Sequence, residues 1–453
     1  MRKLLLLLLF TGCAEDLPGQ APPLDQLHYP IGLRVDDGRL FVVNSNFDLR
    51  YQAGSLLSMS VEGAYALASQ STVDLPVDRL PDGTSGVRIP SLAGEMVLAR
   101  GAEDERLLVV ASRGKNLVSV AEVDAAGGVS CATPNVEPIL GIDCTRGFVL
   151  ETNGIDPFSL VALDRPRTVA IGHLRSDESH EPIALLDLGA FKARRLAEST
   201  GGALPNAIST STSSELLGVG GLASIDEPDG SSILLAAGRY SEAAPVSAYR
   251  VKSSGLSVEL EEISRLSVGA ITGAIDLRGL ILSADRTRAY VSMRILQRST
   301  STGAEPTRYN SAVAVVSIVD GELSLVAAIE VGEELGSPAL IERGGRRFLL
   351  APDLRTSVIY VLDASSDVLA VAAKLTGFRT RESGGELIEV GWLSVPAGIA
   401  VAEVSSVSKT VAFVSNFGNS TLAVLDVTGE DPAKFAIVGR IGRVLRPDGS
   451  SEE

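Results

Sequence analysis

Residues 107–110 read Leu-Leu-Val-Val, and residues 348–351 read Phe-Leu-Leu-Ala. A strand with one wet face alternates apolar and polar residues, so a strand that is apolar at successive positions must be covered on both faces. These runs therefore predict small β-sheets that stack face to face. They disfavour a β-sandwich, in which each sheet keeps one face toward water.

The run at 107–110 belongs to a unit that recurs along the chain, with a Pro or Gly turn followed by apolar strands. The units begin at residues 30, 90, 157, 221, 279, 338 and 396, about sixty residues apart, which leaves room for a fourth strand in each. Small sheets that are apolar on both faces can bury themselves by closing into a ring of their own copies. We therefore predict one all-β domain over residues 28–442, a seven-bladed β-propeller with four-stranded antiparallel blades and no long helix.

A recurrent tetrad sharpens this prediction. Phe41-Val42-Val43-Asn44 in the first unit and Phe413-Val414-Ser415-Asn416 in the last follow a Pro-x-Gly-apolar strand and a turn. This pattern resembles the YVTN-type seven-bladed propellers. The chain contains no Trp-Asp dipeptide and only one Trp, so WD-repeat and quinone-cofactor propellers are not indicated.

The N-terminus has the pattern of an export signal. Two basic residues precede an apolar run from Leu4 to Phe10, and Thr11-Gly12-Cys13 follows. This arrangement resembles the lipobox of bacterial lipoproteins, which implies a signal peptide over 1–12 and a lipidated Cys13. Ala14 after the Cys favours the outer membrane, and residues 13–27 are expected to form a flexible tether. The alternative is an ordinary secreted protein with an incidental Cys.

The net charge restricts the expected partners, and the cysteine content predicts a disulfide. With 40 basic and 56 acidic residues the formal net charge is −16, so nucleic acid is not an expected partner. Outside the cytoplasm the two remaining cysteines, Cys131 and Cys144, are expected to form a disulfide. Free buried thiols and a metal site are the alternatives. Residues 443–453 are expected to be a disordered tail.

In such propellers, the loops that join second to third strands and fourth to first strands share one face around the central channel. An Arg beside a Tyr can engage carboxylates, sugars or peptide groups, and Arg-Tyr recurs at 50/51, 239/240 and 308/309. The alternative is that each Tyr packs against the next blade and each Arg caps a turn. The candidate binding face comprises Asn44, Asn46, Asp48, Arg50, Tyr51, Arg239, Tyr240, Arg308, Tyr309, Asn416 and Asn419.

No catalytic motif and no cofactor fingerprint is present, so no catalytic residue, metal ligand or cofactor is assigned. The acid-rich loop with His173 and His180 (also Asp177, Glu178 and Glu181) is the weak metal candidate, but it has the composition of a solvated loop.

The sequence thus favours a lipid-anchored, non-enzymatic binding or scaffold protein of the bacterial cell envelope, with an envelope protein, peptide or glycan as its partner and the membrane reached through its N-terminal lipid. The alternative is a propeller hydrolase or lactonase with a carboxylate or metal site at the channel mouth. A purely structural role in an envelope assembly is the third hypothesis.

Overall fold

A computed structural model describes residues 19–72, 76–101, 105–177, 179–210, 216–254, 257–297, 308–376, 378–383 and 386–444. Seven antiparallel sheets follow one another along the chain and surround a central channel, which is lined mainly by the first strands of the sheets and the residues that precede them. The predicted seven-bladed β-propeller is confirmed. Predicted Cys13 and the signal peptide lie outside the described residues.

The strands run outward from the channel in chain order. Blade 1 has β1 (Pro30–Asp36), β2 (Arg39–Asn44), β3 (Gly54–Ser60) and β4 (Ser85–Ile89). Blade 2 has β5 (Ala93–Arg100), β6 (Arg106–Ser112), β7 (Leu117–Val123), β8 (Val129–Ser130) and β9 (Val149–Glu151). Blade 3 has β10 (Ile155–Leu163), β11 (Thr168–Arg175), β12 (Ile183–Asp187) and β13 (Ile208–Thr210). Blade 4 has β14 (Val219–Asp226), β15 (Ser232–Gly238), β16 (Pro245–Ser254) and β17 (Ser257–Ser267).

The remaining blades have the same order. Blade 5 has β18 (Ala274–Leu282), β19 (Arg288–Gln297), β20 (Arg308–Val319) and β21 (Glu322–Glu330). Blade 6 has β22 (Ala339–Arg343), β23 (Arg346–Asp353), β24 (Val358–Asp363) and β25 (Ala370–Leu375), followed by the hairpin β26 (Phe378–Ser383) and β27 (Glu386–Gly391). Blade 7 has β28 (Pro396–Val404), β29 (Lys409–Asn416), β30 (Thr421–Asp426) and β31 (Ala436–Ile441).

Each blade buries both of its faces, as the continuous apolar runs predict. The side chains from Leu107 to Ala111 are at most 2% exposed, and those from Phe348 to Ala351 are fully buried. Apolar clusters join neighbouring blades around the whole ring, including blades 7 and 1, where Phe413 and Leu40 share one cluster. Burying one such side chain stabilises the fold by about 1.5–3 kcal/mol, and the stacking of blades is the main source of that burial.

The structure contains two helices that the sequence pattern did not indicate. They are α1 (Val61–Ala68) in blade 1 and α2 (Leu188–Ser199) in blade 3, each inserted between the third and fourth strands, and a short α3 (Val268–Thr272) follows blade 4. The carboxylate of Asp187 caps α2 by accepting a hydrogen bond from the Ala190 N–H at 2.8 Å. Such insertions are too short to disturb the sixty-residue period, which is why the pattern did not indicate them.

The predicted disulfide is present and explains the extra strand of blade 2. Cys131 and Cys144 are bonded, and the loop that they close splits the outer edge of the blade, so that β8 and β9 both pair with β7. Helix α2 holds this loop from the neighbouring blade. Its Glu198 carboxylate accepts hydrogen bonds from the Thr145 hydroxyl at 2.7 Å and the Gly147 N–H at 2.6 Å.

The ring closes without a strand shared between its first and last blades. Helix α1 of blade 1 instead packs on the outer edge of blade 7. After α1, Val77 forms a parallel bridge with Ile441: the Val77 N–H donates to the Arg440 carbonyl at 3.2 Å, and the Gly442 N–H donates to the Val77 carbonyl at 2.9 Å. We call residues 61–72 and 76–77 together the clasp.

The part of the predicted tether that the structure describes lies against the ring. The Gln20 carbonyl accepts a hydrogen bond from the Gln52 N–H at 3.3 Å, and Leu27 is buried beside blades 1 and 7. Residues 20–27 are therefore docked on the propeller rather than extended freely from it. Within the described ranges, no helix has both the length and the hydrophobicity to span a bilayer.

The inner strands approach one another so closely that they require glycine. A Cβ atom on Gly398 of blade 7 would lie 2.1 Å from the Ile31 carbonyl oxygen of blade 1, and one on Gly220 would lie 2.0 Å from the Leu277 carbonyl oxygen. Real Cβ atoms do not come this near to backbone. These contacts set the spacing of the blades around the channel.

We expect Gly398→Ala to lower the free energy of unfolding by about 1–3 kcal/mol, because the added methyl group must push blades 7 and 1 apart. Gly202→Ala is the matched control, since the nearest heavy atom to its new Cβ would be 3.4 Å away. Urea denaturation of both variants measures the difference. Equal stability of the two variants would contradict the proposed role of this contact.

Candidate functional site

The predicted loops connect second to third strands, as expected from the repeat. Residues 45–53, 176–182, 239–244, 354–357 and 417–420 join those strands in blades 1, 3, 4, 6 and 7. Arg308 and Tyr309 begin β20, the third strand of blade 5, after a segment outside the described residues. We call this side of the ring the loop face.

The recurrent Asn of the tetrad is engaged by the fold itself. The Asn44 carboxamide accepts a hydrogen bond from the His28 N–H at 3.0 Å and donates to the Ser55 hydroxyl at 2.9 Å. Asn416 does the same in blade 7, where it accepts from the Ser394 N–H at 3.2 Å and donates to the Thr421 hydroxyl at 3.0 Å. Each Asn therefore pins the chain entering its blade to the start of the third strand.

Blade 6 uses a carboxylate for the same purpose. Asp353 ends β23 and is fully buried, and its oxygens accept hydrogen bonds from the backbone N–H groups of Glu333 at 2.9 Å and Glu334 at 3.1 Å. A polar residue at the end of the second strand is thus a structural device of this ring, which accounts for its recurrence.

The loop of blade 1 is also held together by its own side chains. Asn46 is buried and bonds to both the N–H and the carbonyl of Tyr51, at 3.1 and 2.7 Å. Asp48 accepts from His28 Nε2 at 2.8 Å and pairs with Arg50 at 3.4 Å, while the Tyr51 ring lies edge-on to His28. Arg50 and Tyr51 therefore both contact residues of their own blade. In blade 7, the half-buried Asn419 accepts a hydrogen bond from the Thr421 hydroxyl at 2.8 Å.

The second Arg-Tyr pair lies at the channel. The Arg239 guanidinium is buried and binds the Asp276 carboxylate through two hydrogen bonds, of 2.6 and 3.1 Å, while it stacks 4.5 Å above the ring of Tyr240. Tyr240 itself is half exposed. The ring of Tyr309 stacks with Arg294, at 4.7 Å, across the hairpin of blade 5.

A cavity of about 400 Å³ opens at the centre of the loop face, and every blade contributes to its wall. Arg113, Arg239 and Arg278 line it from blades 2, 4 and 5, with Glu95 of blade 2 as the acidic member. Arg278 donates from Nε to Asp276 at 2.7 Å and lies 3.6 Å from Glu334. Burial lowers the pKa of Arg278, and Asp276 opposes this effect.

Glu95 reaches across the channel. Its Oε1 accepts a hydrogen bond at 3.1 Å from the hydroxyl of Ser337, which precedes the first strand of blade 6. The surrounding blades shield this carboxyl from bulk water, and burial raises its pKa to about 7 despite the hydrogen bond from Ser337. A carboxyl that exchanges its proton near neutral pH therefore faces the cavity.

The weak metal candidate gains no support. His173 is fully buried within β11, its Nε2 lies 3.0 Å from the Thr152 hydroxyl, and burial lowers its pKa to about 4. His180 pairs with Asp177 at 2.7 Å in an exposed turn. Glu178 lies outside the described residues. Among the residues that are described, no three His, Cys, Asp or Glu side chains converge as metal ligands.

An aromatic patch lies on the loop face where blades 1 and 7 meet. The rings of Tyr29 and Phe47 both contact Phe417, with centroid distances of 5.1 and 5.3 Å. Phe47 is 56% exposed, so the patch presents apolar surface to its surroundings.

Sequence reasoning missed Glu95, Arg113 and Arg278. Glu95 and Arg278 lie on inner strands, each directly beside a glycine, in Gly94-Glu95 and Arg278-Gly279. A charged residue next to a glycine in an otherwise apolar inner strand is the signal that would have indicated a channel-lining side chain. Arg113 follows β6 in the second-to-third-strand loop of blade 2, a unit in which the tetrad is absent.

Solved structures share this architecture at low sequence identity. A chain of hydrazine synthase from Kuenenia stuttgartiensis is similar with a TM-score of 0.53 and 12% identity, over 89% of this chain and 97% of that one. Sqt1 from Chaetomium thermophilum, solved with the N-terminus of ribosomal protein L10, has a TM-score of 0.49 and 12% identity, over 94% and 90%. No family model and no curated protein matches the sequence. The fold thus defines the class: this protein is a seven-bladed β-propeller.

We expect Glu95→Gln to remove part of the pH dependence of stability. The unfolded carboxyl loses its proton near pH 4.5 and the folded one near 7, so the free energy of unfolding of the native protein falls as pH rises between these values. The loss is about 3 kcal/mol, and the Gln variant lacks it.

Urea denaturation of both proteins at pH 5 and pH 8 measures this difference, and the Gln variant should be the more stable at pH 8. Glu322→Gln on the exposed edge of blade 5 is the control and should keep the native pH dependence. A Glu95→Gln protein with the native pH dependence would refute the assignment.

Proposed function

We propose that the protein is a non-enzymatic binding protein of the bacterial cell envelope, of the YVTN-type propeller lipoproteins, that holds an envelope protein, peptide or glycan on its loop face. The observation that supports this most is the central cavity of about 400 Å³, to which all seven blades contribute. Concave sites with a mostly apolar wall and a few fixed polar groups are typical ligand sites. The rigid ring keeps those groups in place.

The proposed anchor is the lipid on Cys13, and the docked residues limit where it attaches. Gln20 is bound to the loop of blade 1, seven residues after Cys13. Seven extended residues span at most about 25 Å. The lipid would therefore leave the molecule near the rim of the loop face at blade 1, on the same side as the aromatic patch.

We expect Cys13→Ala to move the protein from the membrane fraction to the soluble fraction of the envelope, because no acyl chain is attached. Fractionation followed by immunoblotting measures the shift. Cys131→Ala is the control, since it alters a cysteine without altering the anchor. Retention of the Cys13→Ala protein in membranes would refute the lipoprotein assignment.

The binding face is tested by a photoreactive amino acid placed at two exposed positions. Tyr240 is 49% exposed at the cavity, and Val319 is 62% exposed at the turn between the outer strands of blade 5, at the opposite end of the strands. On irradiation of intact cells we expect a discrete crosslinked product from position 240 and none from position 319. The same product from both positions, or none from position 240, would contradict the proposed face.

The alternative function, a propeller hydrolase or lactonase, is favoured by one observation. Glu95 has a pKa of about 7 and faces the cavity, which suits a group that gives and takes a proton. The metal form of this hypothesis has no support from the described residues. The Glu95→Gln protein distinguishes the two functions, because only hydrolysis requires this carboxyl to exchange a proton.

A further inference from the structure

The wall of the cavity contains arginine side chains whose charges are partly or fully buried, and burying a charge costs free energy. Arg239 is 6% exposed and Asp276 is 2% exposed, so this ion pair lies in the wall and not on the surface. Arg278 binds the other side of the same carboxylate, and Arg294 bonds to Glu334 at 2.5 Å. Buried charges of this kind persist only when they are paired and hydrogen-bonded.

The wall retains positive charge after this pairing. Four guanidinium groups (Arg113, Arg239, Arg278 and Arg294) lie with three carboxylates (Asp156, Asp276 and Glu334) in or beside the wall, and Glu95 is the fourth carboxyl. Burial raises the pKa of Glu95 to about 7, so one positive charge remains in this set at pH 6, where Glu95 is mostly protonated. Arg113 is the most weakly engaged of the four. It lies 3.7 Å from Asp156, and its Nε has no hydrogen-bond partner within the described residues. A single excess charge matches a monoanion better than a phosphate dianion.

Aliphatic side chains form part of the wall beside Ser337 and Tyr240. Ile31, Met96, Leu335 and Ile399 line the cavity between the charged groups, and Phe158 lies beneath Arg113, with its ring centroid 6.0 Å from the guanidinium carbon. Aliphatic side chains of this kind suit an apolar body next to the anionic group.

We propose that this cavity binds a carboxylate attached to an aliphatic body, with Arg113 and Arg278 holding the carboxylate and the apolar wall holding the body. The inference rests on the proposed binding function and specifies the ligand chemistry of the same face. The carboxyl terminus of a peptide and a free branched-chain acid share this chemistry.

The test is isothermal titration calorimetry of the full chain with two acids and their amides. The acids are 4-methylpentanoate and acetyl-alanyl-alanyl-leucine, and each amide replaces the carboxylate by a neutral group of similar size in which an NH2 donor stands for one acceptor oxygen. The titrations are run at pH 6, below the pKa of about 7 of Glu95, so that this carboxyl does not repel the probe. We expect each acid to bind roughly tenfold or more tightly than its amide, as a charge-assisted hydrogen bond implies.

The two acids distinguish the sources of the carboxylate. Tighter binding of the peptide would identify a peptide terminus, and equal binding would identify a free acid. Acids and amides of equal affinity would overturn the proposal, and so would stronger binding of inorganic phosphate or of galacturonate.

Substitutions locate the site. Arg113→Gln should weaken the acids roughly tenfold and leave the amides unchanged. Arg106→Gln is the matched control, because Arg106 begins the same strand at its other end and pairs with Asp36 at 2.7 Å. Arg278→Lys keeps the charge but loses the forked geometry, and should also weaken the acids. If Arg106→Gln weakened the binding of the acids as much as Arg113→Gln does, the effect would come from the overall charge of the protein, and the proposed site would be overturned.

This result is independent of the crosslinking at Tyr240. Crosslinking without preference for acids would overturn the carboxylate site and leave the binding face intact. A preference for acids without crosslinking would support the carboxylate site and contradict the proposed binding face.

Discussion

Burial of both faces of every blade is the constraint on which the rest of the structure depends. A sheet such as that containing Leu107–Ala111 has no wet side, so it is stable only between two neighbours. Each neighbour has the same need, and a closed ring is the arrangement that satisfies all seven together. The close backbone contacts at Gly220 and Gly398 follow from this closure, because they bring the inner strands together around the channel. The cavity is the space that remains at the centre of the loop face.

The ring also explains why repetition indicates structure more reliably than it indicates function. Asn44 and Asn416 recur because each pins the chain that enters its blade, and Asp353 performs the same task in blade 6. The charged part of the cavity wall, in contrast, includes residues that occur once. Glu95 and Arg113 belong to blade 2 and Arg278 to blade 5, and the three share no repeat position. Departures from the repeat are therefore where specific chemistry is found in this chain.

Much of the architecture was predictable from the sequence, because strand periodicity and the spacing of the units are local properties. The runs at 107–110 and 348–351 indicated two-sided burial, and the spacing indicated seven copies. The sharing of one face by the second-to-third-strand loops followed from the resemblance. The wall of the cavity was not predictable, since it depends on which inner-strand residues meet across the channel, as Glu95 meets Ser337. The stacking of Arg294 on Tyr309 likewise depends on hairpin register. Helices α1 and α2 are short insertions whose partners are distant in the sequence, so local patterns did not identify them.

Because the clasp closes the ring without a shared strand, the position of the chain termini is not fixed by the structure of any one sheet. In a ring whose first and last blades exchange a strand, the covalent break is built into one sheet. Here every blade is made of consecutive strands, and the junction of blades 7 and 1 is held by side chains, by α1 and by the bridge from Val77 to Ile441. The chain ends could therefore lie between any two neighbouring blades without dividing a sheet. A circularly permuted chain, with residues 30 and 441 joined by a linker and new ends placed between two other blades, preserves every sheet intact.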